Sequence, residues 1–212
     1  MERILRRDFV KAALAGGLVA GSSLRRSSGK EASQPKIKLG LIGCGWYGMV
    51  DVRAAFKAGG VEVLALCDVD KQHLADSALE IEKLQGFSPK MFQSYQELLQ
   101  TPGLNAVIMA TPPHWHAIPF LAAVERNLDI YCEKPLAYDI REGRAMVDAV
   151  KKKNVIVQIG FQRRQSPAIQ QVREHIRQGH LGRIVQVEAQ IHYTAEMRDT
   201  TPQDPPATLD WE

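Results

Sequence analysis

The chain has few cysteines and no recognisable pattern among them. Cys44, Cys67 and Cys132 fit no metal-ligand spacing, and an odd count is no disulfide framework. Each lies at or beside an expected strand end, where a buried thiol is the simplest reading. Long apolar runs are lacking too: the stretch from Phe9 to Ala20 is only modestly apolar and too short to span a bilayer comfortably. Nor does the body carry charge of one sign. The formal net charge is +3, but residues 1–33 hold Arg3, Arg6, Arg7, Lys11, Arg25, Arg26 and Lys30 against Glu2, Asp8 and Glu31, a net +4 that leaves −1 for the remainder. Without a basic surface on the body there is no electrostatic case for nucleic acid. Internal repeats and low-complexity tracts are likewise missing. What remains is ordinary for a soluble globular protein, 45% hydrophobic and 24% charged over 212 residues, enough for one core or one and a half domains.

The basic N-terminus has its own logic. MERILRRDFVKAALAGGLVAGSSL places two arginines before a short apolar stretch, with Gly, Ser and charged residues after it, which is the layout of a secretory signal. RRDFVK resembles the twin-arginine export motif. Residues 1–35 are therefore expected to be a signal and linker, with the twin-arginine machinery as partner, a periplasmic or otherwise exported destination and no stable membrane anchor after cleavage. A frayed amphipathic helix is the alternative.

From Lys36 the chain alternates β-rich apolar runs (KIKLGLI, VEVLALC, NAVIMA, LDIYC, VIVQIG) with helical-length segments such as YGMVDVRAAFKAG, KQHLADSALEIEKLQG and YDIREGRAMVDAVKKK. MFQ is a candidate minor strand. Runs that are apolar throughout suit strands buried on both faces, and strand–helix alternation argues an α/β fold, a Rossmann-like doubly wound parallel sheet. This domain is expected over residues 36–165. After residue 180 the pattern changes: in GRIVQVEAQIHY, Val185, Val187, Ala189 and Ile191 alternate with Gln186, Glu188, Gln190 and His192, as in a half-exposed antiparallel strand. A Pro-rich stretch follows. One strand makes no sheet, so residues 166–212 read as the start of an incomplete α+β second domain.

Between the first strand and the first helix stands Gly43-Cys44-Gly45-Trp46-Tyr47-Gly48, a GxGxxG match in the strand–turn–helix context that the dinucleotide fingerprint requires. Gly43 serves the tight turn, Gly45 the approach of the pyrophosphate, and Gly48 the packing of helix on strand. Trp46 and Tyr47 complete this cofactor-facing turn. Asp68, twenty residues beyond Gly48, ends the second strand where an acidic residue accepts ribose hydroxyls; it favours NAD over NADP. NAVIMA ends in Thr111-Pro112-Pro113-His114-Trp115-His116, a proline-stiffened loop at the carboxyl edge of the sheet, where ligands of such folds bind. Thr111 either caps the next helix or contacts the cofactor. His114 and His116 diverge on a helix, which argues against a shared metal.

LDIYC runs into Glu133-Lys134-Pro135. Parallel strands deliver this pair to the same edge, where an ammonium could stabilise developing alkoxide charge or share in proton transfer. A solvated strand end is the plain alternative. With GCGWYG, Asp68, TPPHWH and EKP in this order and spacing, and with GFQRRQSP at 160–167, the chain resembles the N-terminal part of the glucose–fructose oxidoreductase / inositol dehydrogenase / rhizopine-catabolism (Gfo/Idh/MocA) family over roughly residues 36–212. The resemblance implies a catalytic-site Lys134 that contacts substrate and cofactor, a cis Lys134–Pro135 bond, and cofactor-site positions for Thr111, Pro112, His116, Glu133, Gln162 and Arg164. It implies NAD as cofactor and a sugar or polyol as substrate, and a homo-oligomer if the protein is full length. It also implies that an aspartate and a histidine from a following antiparallel sheet are absent from these residues.

The expected function is hydride transfer between a sugar or polyol hydroxyl and a nicotinamide, with weak or no activity for residues 1–212 alone. The alternatives are an NAD-dependent glycosidase of the same family, a catalytically silent dinucleotide-binding module and a nonfunctional fragment.

Overall fold

The structure, a computed structural model, describes residues 36–192 and 204–210. The signal-like leader lies outside these residues, as does part of the final Pro-rich stretch.

Six short strands alternate with helices: β1 (Ile37–Ile42), α1 (Trp46–Ala58), β2 (Val61–Cys67), α2 (Lys71–Gln85), β3 (Lys90–Phe92), α3 (Tyr95–Leu98), β4 (Ala106–Met109), α4 (Ala117–Glu125), β5 (Asp129–Glu133), α5 (Ile140–Lys153) and β6 (Val157–Gly160). All strand pairs are parallel, and the order is β3-β2-β1-β4-β5-β6. The chain thus starts in the middle of the sheet, winds outward one way, and returns to wind the other. The order reverses between β1 and β4, and ligands of open α/β sheets bind at such a reversal. Met91 and Phe92 of MFQ lie in β3, as expected, while Gln93 falls just beyond it.

Side-chain alternation splits the core between the two faces. On one face Leu39, Leu41, Ala106 and Ile108 pack with Met49 and Val52 of α1 and Leu74, Ala78 and Ile81 of α2. On the other, Ile42, Val107, Met109, Ile130 and Cys132 pack with Phe120, Ala123 and Val124 of α4 and Met146 of α5. Strands that serve both faces have no place for polar residues, which is why they read as continuous apolar runs. The three cysteines are free and buried.

Local signals set the helix ends. The Asp70 carboxylate accepts the Gln72 N–H (2.8 Å) at the start of α2, and Gly86 closes it in the left-handed conformation. At α5, Asp139 accepts from Glu142 N–H (2.8 Å), while the Glu142 carboxylate accepts from Tyr138 N–H (3.0 Å).

The described residues divide into two compact units, 36–160 with 208–210, and 161–192 with 204–207. The division falls at Gly160 rather than after residue 165, because β6 ends there and the GFQRRQ turn packs with the helix that follows it. That helix, α6 (Pro167–Arg177), is capped by the Ser166 hydroxyl, which accepts from Ile169 N–H (3.2 Å). Residues 184–191 form no strand, although their sequence alternates as one would: among the described residues they have no ladder partner, and a strand is defined by its partner. Residues 208–210, expected in the second domain, instead close a short antiparallel bridge on the loop after β2. Lys71 N–H donates to the Thr208 carbonyl (3.1 Å) and Asp210 N–H to the Val69 carbonyl (3.0 Å).

Candidate dinucleotide site

The parallel strands of the first unit deliver four loops to one edge. After β1, Gly43 turns the chain with φ +95°, and a side chain there would run into the Ala110 carbonyl. Gly48 lies against the Gly43 carbonyl oxygen so tightly that no Cβ fits between them, so α1 springs directly off the turn. Gly45 differs: a Cβ placed on it would meet nothing within 4 Å. It is the open position of the three. No side chain caps α1 and no acid lies in its first turn, so its first amides are left for a ligand. Trp46 projects from the same turn, 79% exposed, edge-on to Tyr47.

After β2, the two carboxylate oxygens of Asp68 are held by backbone: Oδ2 accepts Cys44 N–H (2.6 Å) and Oδ1 accepts Asp70 N–H (2.9 Å). This ties Asp68 to the glycine turn and leaves each oxygen a further lone pair. Beside it, a cavity of about 200 Å³ is lined by Cys44, Gly45, Trp46, His73, Asp76 and Ser77, with Arg53 and Glu80 also on its wall. Arg53 is bound in fork geometry to Glu80 (2.6 and 2.7 Å). The arginine that could greet a 2′-phosphate is already committed, which agrees with NAD.

After β4, Thr111 caps neither the turn at 113–115 nor α4; their caps are Pro112 and His116. Its hydroxyl oxygen is buried without a partner, so the capping alternative does not hold. His116 requires a correction. It was expected at the cofactor, but its ring is fully buried, Nδ1 lies 2.8 Å from the Pro135 carbonyl oxygen and Nε2 2.8 Å from that of Thr111. Both partners are carbonyl oxygens, so a ring N–H donates to one of them, and the tautomer sets which. The histidine is a brace between the β4 and β5 loops, with no free nitrogen for a ligand.

After β5, Glu133 is 5% exposed while Lys134 is exposed, so the pair divides between interior and surface. Glu133 Oε1 lies 3.5 Å from the Tyr131 hydroxyl, and Oε2 accepts Lys134 N–H (3.2 Å). Lys134 Nζ stands 5.9 Å from the centre of the Tyr47 ring, which joins the EKP turn to the glycine turn. The Lys134–Pro135 peptide bond is cis. Gln162 and Arg164 lie in the second unit, Arg164 over the Phe161 ring at 4.5 Å.

Two residues here had no site role assigned from the sequence. Gly160 ends β6 against the Glu133 carboxylate, where any Cβ would overlap it. Asp51 is 8% exposed on the inner face of α1 beside Gly48, Met49 and Val52, and its Oδ2 has no hydrogen-bond partner. Burial, and then the nearby Glu133 carboxylate, push its carboxyl up to about 7. The signal was a lone acid on the helical stripe that otherwise faces the core.

The oxidoreductase family model described as Gfo/Idh/MocA, NAD-binding Rossmann fold, matches residues 37–161. The rhizopine catabolism protein MocA of Rhizobium meliloti is 34% identical over 149 residues, 70% of this chain and 45% of that protein. Levoglucosan dehydrogenase of Pseudarthrobacter phenanthrenivorans is 40% identical over 91 residues, 43% of this chain and 23% of that one. Among solved structures, myo-inositol dehydrogenase from Lactobacillus casei in complex with NAD(H) and myo-inositol superposes with TM-score 0.63 at 27% identity, covering 69% of this chain and 43% of that one. Each match spans less than half of the relative's length.

Proposed function

We propose, from the premise that this chain belongs to the Gfo/Idh/MocA oxidoreductase family, that it is the dinucleotide-binding part of an NAD-dependent dehydrogenase acting on a sugar or polyol. The family carries NAD, and relatives named above act on levoglucosan or were solved with myo-inositol. The observation that carries the reading is the convergence at one sheet edge of the open Gly45 turn, the backbone-held Asp68, the unpartnered Thr111 hydroxyl and the exposed Lys134. In this reading Asp68 accepts the adenosine ribose hydroxyls, the first amides of α1 take the pyrophosphate, and Thr111 and Pro112 line the passage between the two halves. Glu133 is held inside by β5 and β6 and sets the start of the EKP turn. Lys134 is the catalytic residue: its ammonium hydrogen-bonds the substrate oxygen and stabilises the charge that develops there as the hydroxyl proton leaves. When bound, NAD accepts the hydride. Gln162 and Arg164 are assigned to the same site from the family pattern alone.

Titration of the chain with NADH tests the first part: binding that Asp68→Ala weakens is expected, and a chain that binds no dinucleotide overturns it. NADH formation from a panel of inositols and anhydrosugars, measured on the full-length form together with its Lys134→Ala variant, tests the second. Lys134→Ala should abolish turnover while NADH binding stays within about threefold; equal loss of both would make the lysine a cofactor residue.

Export of the protein by the twin-arginine route belongs to the same proposal, supported by Arg6-Arg7 ahead of the Phe9–Ala20 stretch. Replacing both arginines by lysine should leave the protein in the cytoplasm; unchanged export would remove the assignment.

A further inference from the structure

Asp51 has no task in the reading above, and a buried carboxyl oxygen without a partner calls for one. Its surroundings are few and specific. On its own helix, Tyr47 lies one turn earlier, and its hydroxyl is raised by burial, then by Glu133 and Asp51. From β5 come Glu133, 5% exposed, and Tyr131, whose hydroxyl lies 3.5 Å from the Glu133 carboxylate. From the turn after β5 comes Lys134, its ammonium 5.9 Å from the Tyr47 ring. His116 braces that turn from behind through the Pro135 carbonyl. With one carboxylate and one ammonium, the cluster is balanced without Asp51. Two buried carboxylates close enough to interact resist carrying charge together, so Asp51 holds a proton until the pH, or a new positive charge, removes it.

The oxidised nicotinamide ring is a cation and the reduced ring is neutral. We infer that Asp51 is a specificity-determining residue for the redox form of the dinucleotide: ionised, it supplies the extra negative charge that favours the oxidised ring; protonated, it leaves the cluster neutral and favours the reduced one. This rests on the proposed placement of the nicotinamide at the Glu133–Lys134 edge. The titration range, about 7, makes the device operate at physiological pH. It is also balanced chemically. Oxidation of an alcohol to a carbonyl gives up one hydride to NAD and one proton; as the ring loses its charge, Asp51 regains affinity for a proton, so less than one is released to solvent in the bound hydride-transfer step, and the remainder follows when NADH leaves and NAD+ rebinds, one per complete turnover.

The test is the affinity of the intact chain for NAD+ and for NADH, measured separately by calorimetry between pH 5.5 and 8.5. Across that range the ratio Kd(NAD+)/Kd(NADH) is expected to fall by roughly fivefold, the order one partly screened charge contributes, with its midpoint near 7. In Asp51→Asn the ratio should be flat. A flat ratio in the wild type, or the same slope in Asp51→Asn and Asp51→Ala, overturns the inference while leaving dinucleotide binding intact. Binding of neither form would instead overturn the underlying dinucleotide reading, and this one with it.

Discussion

The two units of this chain treat the same kind of residue in opposite ways. In the first, Leu41, Val52, Val107, Ile130 and Met146 are driven to zero exposure between sheet and helices. In the second, α6 carries an equally clear apolar stripe, Ile169, Val172 and Ile176, yet these remain 47%, 55% and 38% exposed, and no residue of the helix is buried. Residues 184–191 repeat the contrast, with Val185 and Val187 at 86% and 82%. An amphipathic pattern makes a face, but only a second surface buries it, and most of a helix's stability comes from that burial. Asp68, His116 and Glu133, whose hydrogen bonds fix the strand-end loops, lie in the first unit, where packing holds those loops in place.

If burial separates the units, perturbations should rank accordingly. The largest effect is expected for His116→Ala, which removes the ring N–H donor held between the Thr111 and Pro135 carbonyls and opens a cavity behind the EKP turn. A stability loss of about 3–5 kcal/mol should appear in denaturant unfolding, and a loss below 1 kcal/mol would show that the brace is incidental. Gly160→Ala comes next: the new Cβ meets Glu133 and the Tyr131 hydroxyl, so about 1–3 kcal/mol is expected, with NADH binding weakened if Glu133 moves. Unchanged stability and binding would mean that the Glu133 pocket has slack.

Asp51 gives a pH signature of the first unit alone. Its carboxyl is raised from 3.8 to about 7 in the folded state, so the folded chain binds a proton that the unfolded chain has lost. Stability contributed by this site falls as pH rises from about 4 to 7 and is constant above. Asp51→Asn should remove that slope and stabilise the protein above pH 7 by on the order of 2 kcal/mol; thermal melts at pH 5 and 8 that shift equally in both proteins would contradict it. The smallest effect is expected in the second unit, where Val172→Ser should change stability by less than about 0.5 kcal/mol. A drop of several degrees in melting temperature would mean that α6 is covered in solution, and the contrast between the units would fail.

Much of the site could be read along the chain because its signals are local. A turn that brings backbone to a phosphate needs glycine at fixed offsets, and Gly43, Gly45 and Gly48 stand one turn apart in sequence and in space. Asp68 and Lys134 were legible for a related reason: parallel strands of known direction send every residue that follows them to one edge. His116 was found but given another task, since a histidine in a proline-stiffened loop shows nothing of the two carbonyls that close on its ring from nineteen and five residues away. Asp51 had no motif at all, Gly160 opened GFQRRQSP without a task of its own, and Thr208 to Asp210 looked like the tail of a second domain before the bridge to Val69 and Lys71 joined them to the first.

The sequence by itself determined the alternation of strands and helices, the fingerprint turn and the strand ends, because these depend on residue type and on spacing within a dozen positions. Only the tertiary structure decided which polar groups are satisfied and which are left waiting: the braced His116, the committed Arg53, the orphaned Thr111 hydroxyl and the carboxyl of Asp51 beside Glu133. Hydrogen-bond partners and desolvation are properties of atoms brought together from distant parts of the chain, and no local pattern records them.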